Sequence, residues 1–141
     1  MRRPPTDLQI LEQIYKRYYS TFASFSQKDP TRSAKVFVPI DIREIGKHFG
    51  IDPDIIFGRL YYHLEPKYGF KQPDESNVHF FTRAIGSDRD CVQFPLLAAV
   101  VAKLREERNR DLSTRWLSVI AIAISFVSLL FSILPKILRN L

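Results

Sequence analysis

The sequence predicts an α+β protein, in which a small mixed domain is followed by a long helix that becomes a single C-terminal transmembrane helix. Three observations carry this prediction. An uncharged run lies near the C-terminus, apolar residues recur at helical spacing near the N-terminus, and short alternating segments with turn residues lie between them. The expected parts are a tip (1–6), a mixed domain (7–86), a juxtamembrane helix (87–115), a transmembrane helix (116–134) and a short tail (135–141).

The run WLSVIAIAISFVSLLFSIL spans residues 116–134 and contains no charge, proline or glycine. At about 1.5 Å per helical residue it reaches roughly 28 Å, close to the thickness of the hydrocarbon core of a bilayer. Arg115, Trp116, Lys136 and Arg139 are the expected membrane-interface residues, because basic and indole side chains prefer the headgroup level. A buried core helix is the alternative, and the C-terminal position argues against a signal peptide.

The formal net charge of +6 is unevenly distributed along the chain. Residues 1–34 and 87–141 each carry an excess of three basic side chains, whereas residues 35–86 hold seven basic and seven acidic ones. Basic residues next to a span are typical of the cytosolic side of a membrane. The expected location is therefore the cell (cytoplasmic) membrane, with membrane lipid as a partner and the N-terminal domain in the cytosol.

Small residues recur through the run at spacings of 3, 4, 3 and 4, which places them on one side of a helix. This serine stripe consists of Ser118, Ala121, Ser125, Ser128 and Ser132. Lipid gives no hydrophobic reason for helices to associate, so membrane helices pair through small side chains and weak polar contacts. The stripe therefore predicts a homo-oligomer that forms through the span, unless the register arose by chance.

An amphipathic helix is expected over about residues 7–25. Thr6 and Gln9 have the spacing of a capping box at its start. Large apolar residues then follow at 3-4 spacing: Leu8, Leu11, Tyr15, Tyr18, Phe22 and Phe25. The tyrosines beside Lys16 and Arg17 could stack nucleic-acid bases, although this spacing is more typical of a core.

A short edge strand is expected over residues 35–40, followed by two helices. Asp41 begins the first helix, and Gly50 ends it. Asp52 begins the second, which extends over about residues 53–65.

Strands are expected from residue 68 and over residues 78–85, around a turn at 73–77, and a loop is expected at 87–90. Leu97, Val100 and Leu104 share the 3-4 phase of the serine stripe. One helix could therefore run from about Pro95 through the membrane, with a break at 111–114 as the alternative.

This order of elements resembles the winged-helix (helix-turn-helix) superfamily. DIREIGKHFGIDPDIIFGRLYYHLE (41–65) resembles its helix-turn-helix, and KYGFKQPDESNVHFFTRAI (67–85) looks like its wing hairpin. The resemblance covers about residues 7–86 at the level of pattern, and the whole chain matches no named family.

The resemblance implies that the second helix of the pair presents a partner-binding or DNA-binding face with Arg59, Tyr62 and His63. In DNA-binding members this helix enters the major groove, where an arginine can read a guanine edge. A neutral middle region with acidic residues on this helix and at the wing argues against DNA. We therefore expect a cytosolic protein partner and rank nucleic acid second.

No motif for catalysis, cofactor binding or metal binding is found in the sequence. The five glycines are scattered, and one cysteine with three histidines provides no convincing zinc site. Cys91 could pair with a distant histidine as a nucleophile, but a small buried thiol is more typical. We expect neither an enzyme nor a cofactor.

Three functions fit these observations. The first is a membrane-anchored effector or adaptor, whose domain binds a protein and whose span self-associates. In its toxin-like form, assembly would compromise the bilayer, as small single-span proteins of bacterial defence systems are thought to do. The second is a membrane-bound transcription regulator that uses Arg59, Tyr62 and His63, and the third is an inert tail-anchored scaffold.

Overall fold

The computed structural model describes residues 3–138, and in its last helix the side chains of residue 130 and of residues 132–138 lie outside that description. The chain divides into two compact units between Lys103 and Leu104. The first unit mixes helices with small sheets, and the chain ends in a long helix with an apolar window. The predicted combination of a mixed domain and a long C-terminal apolar helix is therefore confirmed.

Helix α1 (Asp7–Ala23) begins at the predicted capping box. The Thr6 N–H donates to Gln9 Oε1 at 2.8 Å, and the Gln9 N–H donates to Thr6 Oγ1 at 3.3 Å. These two bonds satisfy backbone donors that the start of a helix leaves open. The helix ends slightly before the predicted residue 25.

The C-terminal end of α1 is capped by Arg32 from the following loop. Its guanidinium donates to the carbonyls of Thr21 at 2.8 Å and Phe22 at 3.3 Å. It also donates to the carbonyls of Ala34 at 3.0 Å and Lys35 at 2.9 Å. Arg32 is only 6% exposed, so this side chain closes the helix and fixes the loop from within the domain.

Helix α2 (Ile42–Phe49) and helix α3 (Pro53–Gly58) begin directly after the predicted residues Asp41 and Asp52. The Asp41 carboxylate accepts from the N–H groups at the start of α2, and Asp52 does the same for α3. Gly50 ends α2 with a φ of 64°, a conformation that costs glycine little. The chain thus makes a tight turn between the two helices.

The helix that starts with α3 is longer than predicted and changes its winding. It continues through a π-helical segment (Arg59–Leu64) into the short helix α4 (Glu65–Tyr68). The Glu65 N–H donates to the carbonyl of Leu60, which lies five residues earlier, as π-helical bonding requires. Such segments are rare and frequently lie at functional sites.

The five strands found within residues 3–138 form two antiparallel sheets. They are β1 (Phe37–Pro39), β2 (Phe70–Lys71), β3 (Asn77–Val78), β4 (Phe81–Ile85) and β5 (Asp88–Gln93). The main sheet has the order β1-β5-β4, and β2 pairs only with β3. Val38 and Phe81 both lie opposite Val92, so the centre of the main sheet is apolar and buried.

Two predictions for this region are wrong. Residues 78–85 are not one strand, because His79 and Phe80 separate β3 from β4, and residues 87–90 are not a loop, because β5 begins at Asp88. The first residues of β5 do not alternate between apolar and polar side chains. Main-chain hydrogen bonds keep them in the sheet instead. Asp90 has a φ of 49°, and its carbonyl accepts from the Ile40 N–H at 3.0 Å. The domain end predicted at residue 86 thus falls within the β4–β5 hairpin.

One core joins α1, the helix pair and the main sheet. Its largest fully buried side chains are Phe80, Phe81, Phe94, Ile10, Leu11, Ile14, Ile45, Ile56, Leu60, Leu64, Leu97 and Val38. Burying a side chain of this size contributes about 1.5–3 kcal/mol relative to leaving it in water. These residues therefore hold the elements of the first unit together.

Helix α5 (Phe94–Leu138) has no break at residues 111–114. Its first turns contribute Phe94, Leu97, Val100 and Val101 to the core of the first unit. Its length and composition would allow it to cross a membrane, and none of its most apolar 18-residue window is buried.

Candidate interaction surfaces

Two of the three residues predicted for the partner or DNA face contact the start of α1. Arg59 Nε donates to Asp7 Oδ1 at 2.6 Å, and His63 Nε2 lies 3.3 Å from Asp7 Oδ2. Asp7 is mostly buried, so its carboxylate joins α1 to the π-helical segment. One donor of the Arg59 guanidinium is thereby bonded within the chain, the Arg59 side chain is still 41% exposed, and Tyr62 is 73% exposed.

The carboxylate of Glu65 joins the π-helical segment to the main sheet. Its Oε2 accepts from the N–H groups of Phe80 and Phe81 at 2.7 Å each. Its Oε1 lies 2.6 Å from Nδ1 of His79. Both oxygens are therefore used internally, although the sequence suggests an exposed acidic side chain at this position.

Aromatic side chains gather where the helix changes its winding. Phe57 and Tyr61 stack with ring centroids 5.4 Å apart, and both rings meet Phe81 edge to face. The ring of Tyr62 stands at 87° to those of Phe57 and Tyr61. Because a π turn needs five residues, it brings Tyr62 back over Phe57.

These rings form one wall of a cleft of about 460 Å³ between the helix and β4. The aromatic cleft is lined by Tyr61, Tyr62, Glu65, Pro66, His79, Phe81, Thr82 and Arg83. Sequence reasoning identified only Tyr62 as an exposed aromatic here. The spacing of Ile56, Leu60 and Leu64, in steps of four residues, is ordinary for an α-helix and gave no signal of the change in winding.

A second cleft of about 630 Å³ lies on the other side of α3, beside β5. Asp41, Asp54, Asp90, Arg43 and Arg89 all line it, so charges of both signs are mixed there. Burial raises the pKa of Asp90, while Arg83 and Arg89 oppose this shift. Within residues 3–138, no group of three His, Cys, Asp or Glu side chains is placed to hold a metal ion.

Cys91 is fully buried in β5. Burial raises the pKa of its thiol to about 11, and the nearby Asp88 carboxylate adds to this effect. Because the thiolate is the nucleophilic form, the thiol has little nucleophilic character near neutral pH.

The stripe serines whose side chains are described use their hydroxyl protons within their own helix. The Oγ atoms of Ser118, Ser125 and Ser128 donate to the carbonyls four residues earlier at 2.9–3.1 Å. Thr114 extends the stripe by one step and bonds in the same way at 3.0 Å. The stripe thus offers small side chains with satisfied donors, and the side chain of Ser132 lies outside the described residues.

Two of the four residues predicted for the membrane interface, Arg115 and Trp116, lie at the start of the predicted span. Arg115 and Trp116 are exposed, Trp116 by 68%. In the charged stretch before them, Arg110 pairs with Glu106 on the same helix at 3.0 Å. Arg139 and the side chain of Lys136 lie outside the described residues.

Comparison of the chain with family models, curated proteins and solved structures found no match to any of the three.

Proposed function

We propose that this protein is a membrane-anchored effector or adaptor without enzymatic activity or cofactor. Helix α5 crosses the cytoplasmic membrane once, copies of the chain assemble through the serine stripe, and the domain binds a cytosolic protein. The observation that carries this proposal is the apolar window of α5, of which nothing is buried. Water makes so large an exposed apolar surface unfavourable, whereas lipid accepts it.

The stripe supports assembly in the membrane. Because their hydroxyl protons are bonded to their own helix, the serines can enter lipid without losing a hydrogen bond. They also leave a shallow face on which a second helix can pack closely. The excess of basic residues before Trp116 favours the orientation with the domain in the cytosol.

The order helix, strand, helix, helix, hairpin with sheet order β1-β5-β4 supports the resemblance to a winged helix. In that comparison the β4–β5 hairpin takes the place of the wing, and β2–β3 is an addition before it. The contacts of Arg59 and His63 with Asp7 use one of the guanidinium donors that a DNA reader would offer to a base edge. A protein partner for the domain is supported by the even balance of charge over residues 35–86, because a DNA-binding face usually concentrates positive charge.

The test is expression of the full chain and of a version without residues 116–141, with membrane fractionation and a dye that reports membrane potential. The full chain should sediment with membranes, and the shortened chain should remain in the supernatant. Loss of potential that requires the span would support the toxin-like form, and an intact potential with crosslinked oligomers would support an adaptor. A full chain that stays in the supernatant would contradict the proposal.

A further inference from the structure

We propose that the aromatic cleft binds a proline-rich segment in the polyproline II conformation, with an acidic residue next to its prolines. This inference rests on the proposed function and names the chemistry of the partner that the domain recognises. Polyproline II segments dock on aromatic-lined grooves, because they are already extended and lose little entropy on binding. The rings of the cleft and its polar groups fit such a ligand.

The ring geometry provides flat faces at two orientations. Tyr61 is 37% exposed and Tyr62 is 73% exposed, and their rings stand at 87° to each other. Phe81 is buried behind Tyr61, so the wall is supported from within the domain. Perpendicular ring faces on a supported wall can accept successive proline rings along a ligand.

The polar groups of the cleft include several donors, namely the Arg83 guanidinium and the hydroxyls of Tyr61 and Tyr62, which can also accept. Tyr61 and Tyr62 make no hydrogen bond through their hydroxyls to any described residue, and Arg83 is exposed. The one carboxylate of the cleft, Glu65, already accepts from two backbone N–H groups and lies against His79. A polyproline II segment is complementary to these donors, because its backbone carbonyls are free acceptors and proline has no N–H.

Arg83 gives the cleft its charge preference. Its guanidinium lies 6.0 Å from the ring centroid of Phe57 and forms no ion pair with a described residue, although Asp90 is near enough to interact with its charge. A glutamate or aspartate beside the prolines would form a charge-assisted hydrogen bond with it. Single-stranded nucleic acid also stacks on aromatic rings. Its phosphate backbone, however, is usually bound by several basic side chains, and the cleft offers one arginine without an ion pair to a described residue.

The experiment uses the full chain in phospholipid nanodiscs and follows the fluorescence anisotropy of labelled probes. The main probe is a short peptide of prolines with glutamates at both ends. Its comparisons are the same peptide with the prolines replaced by alanine, the same peptide with the glutamates replaced by lysine, and an oligothymidylate. We expect saturable binding of the main probe and affinities at least about tenfold weaker for both altered peptides.

Substitutions in the aromatic cleft test whether the peptide binds there. Tyr62→Ala should weaken the main probe by about tenfold, since exposed tyrosines are frequent hot spots. Tyr62→Phe, which keeps the ring and loses one donor, should weaken it less. Arg83→Glu should weaken the glutamate peptide and strengthen the lysine peptide. Phe70→Ala and Lys71→Glu change an exposed ring and an exposed cation outside the cleft and should have no effect, and circular dichroism checks that each variant is folded.

The inference is overturned by equal binding of the proline and alanine peptides, by tighter binding of oligothymidylate, by absence of saturable binding, or by identical affinities of the cleft and control variants. Its failure is distinct from failure of the proposed function. If the chain inserts into membranes and assembles but does not bind the proline peptide, only the proposed ligand is refuted. If the chain binds the peptide but does not enter membranes, only the proposed membrane anchor is refuted.

Discussion

Arg32 shows how one side chain can complete a helix end. It supplies donors to four carbonyls, two at the end of α1 and two in the loop that follows, from a nearly buried position. A planar guanidinium can reach several acceptors at fixed angles, whereas an ammonium concentrates its donors at one point.

We therefore expect Arg32→Lys to destabilise the domain by about 2 kcal/mol, because partly buried carbonyls would lose hydrogen bonds to a charged donor. The measurement is the free energy of unfolding in urea. Arg89→Lys is the matched control, because Arg89 is exposed, and it should change this free energy by less than about 0.5 kcal/mol. Equal effects of the two substitutions would contradict the capping role of Arg32.

Cys91 predicts a dependence of stability on pH. Its folded-state pKa of about 11 lies above the ordinary value of 9.0, so between these values the folded state keeps a proton that the unfolded state loses. Stability should therefore fall as pH rises from about 9 to about 11. Other groups titrate there as well, so the informative quantity is the difference from Cys91→Ala. Cys91→Ala should be the less stable protein at pH 8, and the gap should narrow by up to about 2 kcal/mol towards pH 11. A constant gap would contradict a buried neutral thiol.

At the scale of elements, two glycines in the helix pair have opposite roles. A Cβ at Gly46 would lie 3.0 Å from the carbonyl oxygen of Ile51 and 3.1 Å from Cα of Pro53. A Cβ at Gly58 would meet only the ring of Tyr62, at 3.9 Å. Gly46 thus permits close packing of the turn between α2 and α3, whereas Gly58 has room for a side chain.

Gly46→Ala should destabilise the domain by about 1–3 kcal/mol, because backbone atoms would have to move. Gly58→Ala should stabilise it by about 0.5–1 kcal/mol, because alanine loses less entropy in a helix. Thermal unfolding of the two variants measures both effects. Similar shifts in the same direction would refute the packing contact at Gly46.

The helices of this protein were predictable from local chemistry. Thr6, Asp41 and Asp52 each supply a capping oxygen to nearby N–H groups. The start of each helix therefore depends on residues that are close in sequence and could be predicted from them. The end of α2 is also determined locally, because Gly50 adopts the positive φ that ends the helix.

The sheet and the clefts depend on distant residues. The first half of β5 has charged residues and no alternation, and it is held by its pairing with β4 and by the hydrogen bond between the Asp90 carbonyl and Ile40 of a remote segment. The aromatic cleft requires a π turn that brings Tyr62 over Phe57 and a sheet that places Arg83 beside them. Likewise, the pairing of Asp7 with Arg59 joins residues far apart in sequence and had no local signal.

At the scale of the whole molecule, an exposed apolar helix follows a domain with its own core. The domain forms a buried core from its own apolar residues, and the window of α5 buries none of its own. We therefore propose that the domain recognises the partner and that the helix assembles copies of the chain through the serine stripe.

Cysteine scanning along α5 tests this central claim most directly. Cys91 is the only cysteine, so each introduced cysteine in a Cys91→Ala background is the sole thiol. The stripe variants are Ser118→Cys, Ala121→Cys, Ser125→Cys and Ser128→Cys, and the matched variants on the opposite side are Ile120→Cys, Ala123→Cys and Val127→Cys. Oxidation in native membranes should give disulfide-linked dimers from the stripe variants and far fewer from the opposite side. Dimers at equal yield from both sides, or from neither, would contradict assembly through the stripe.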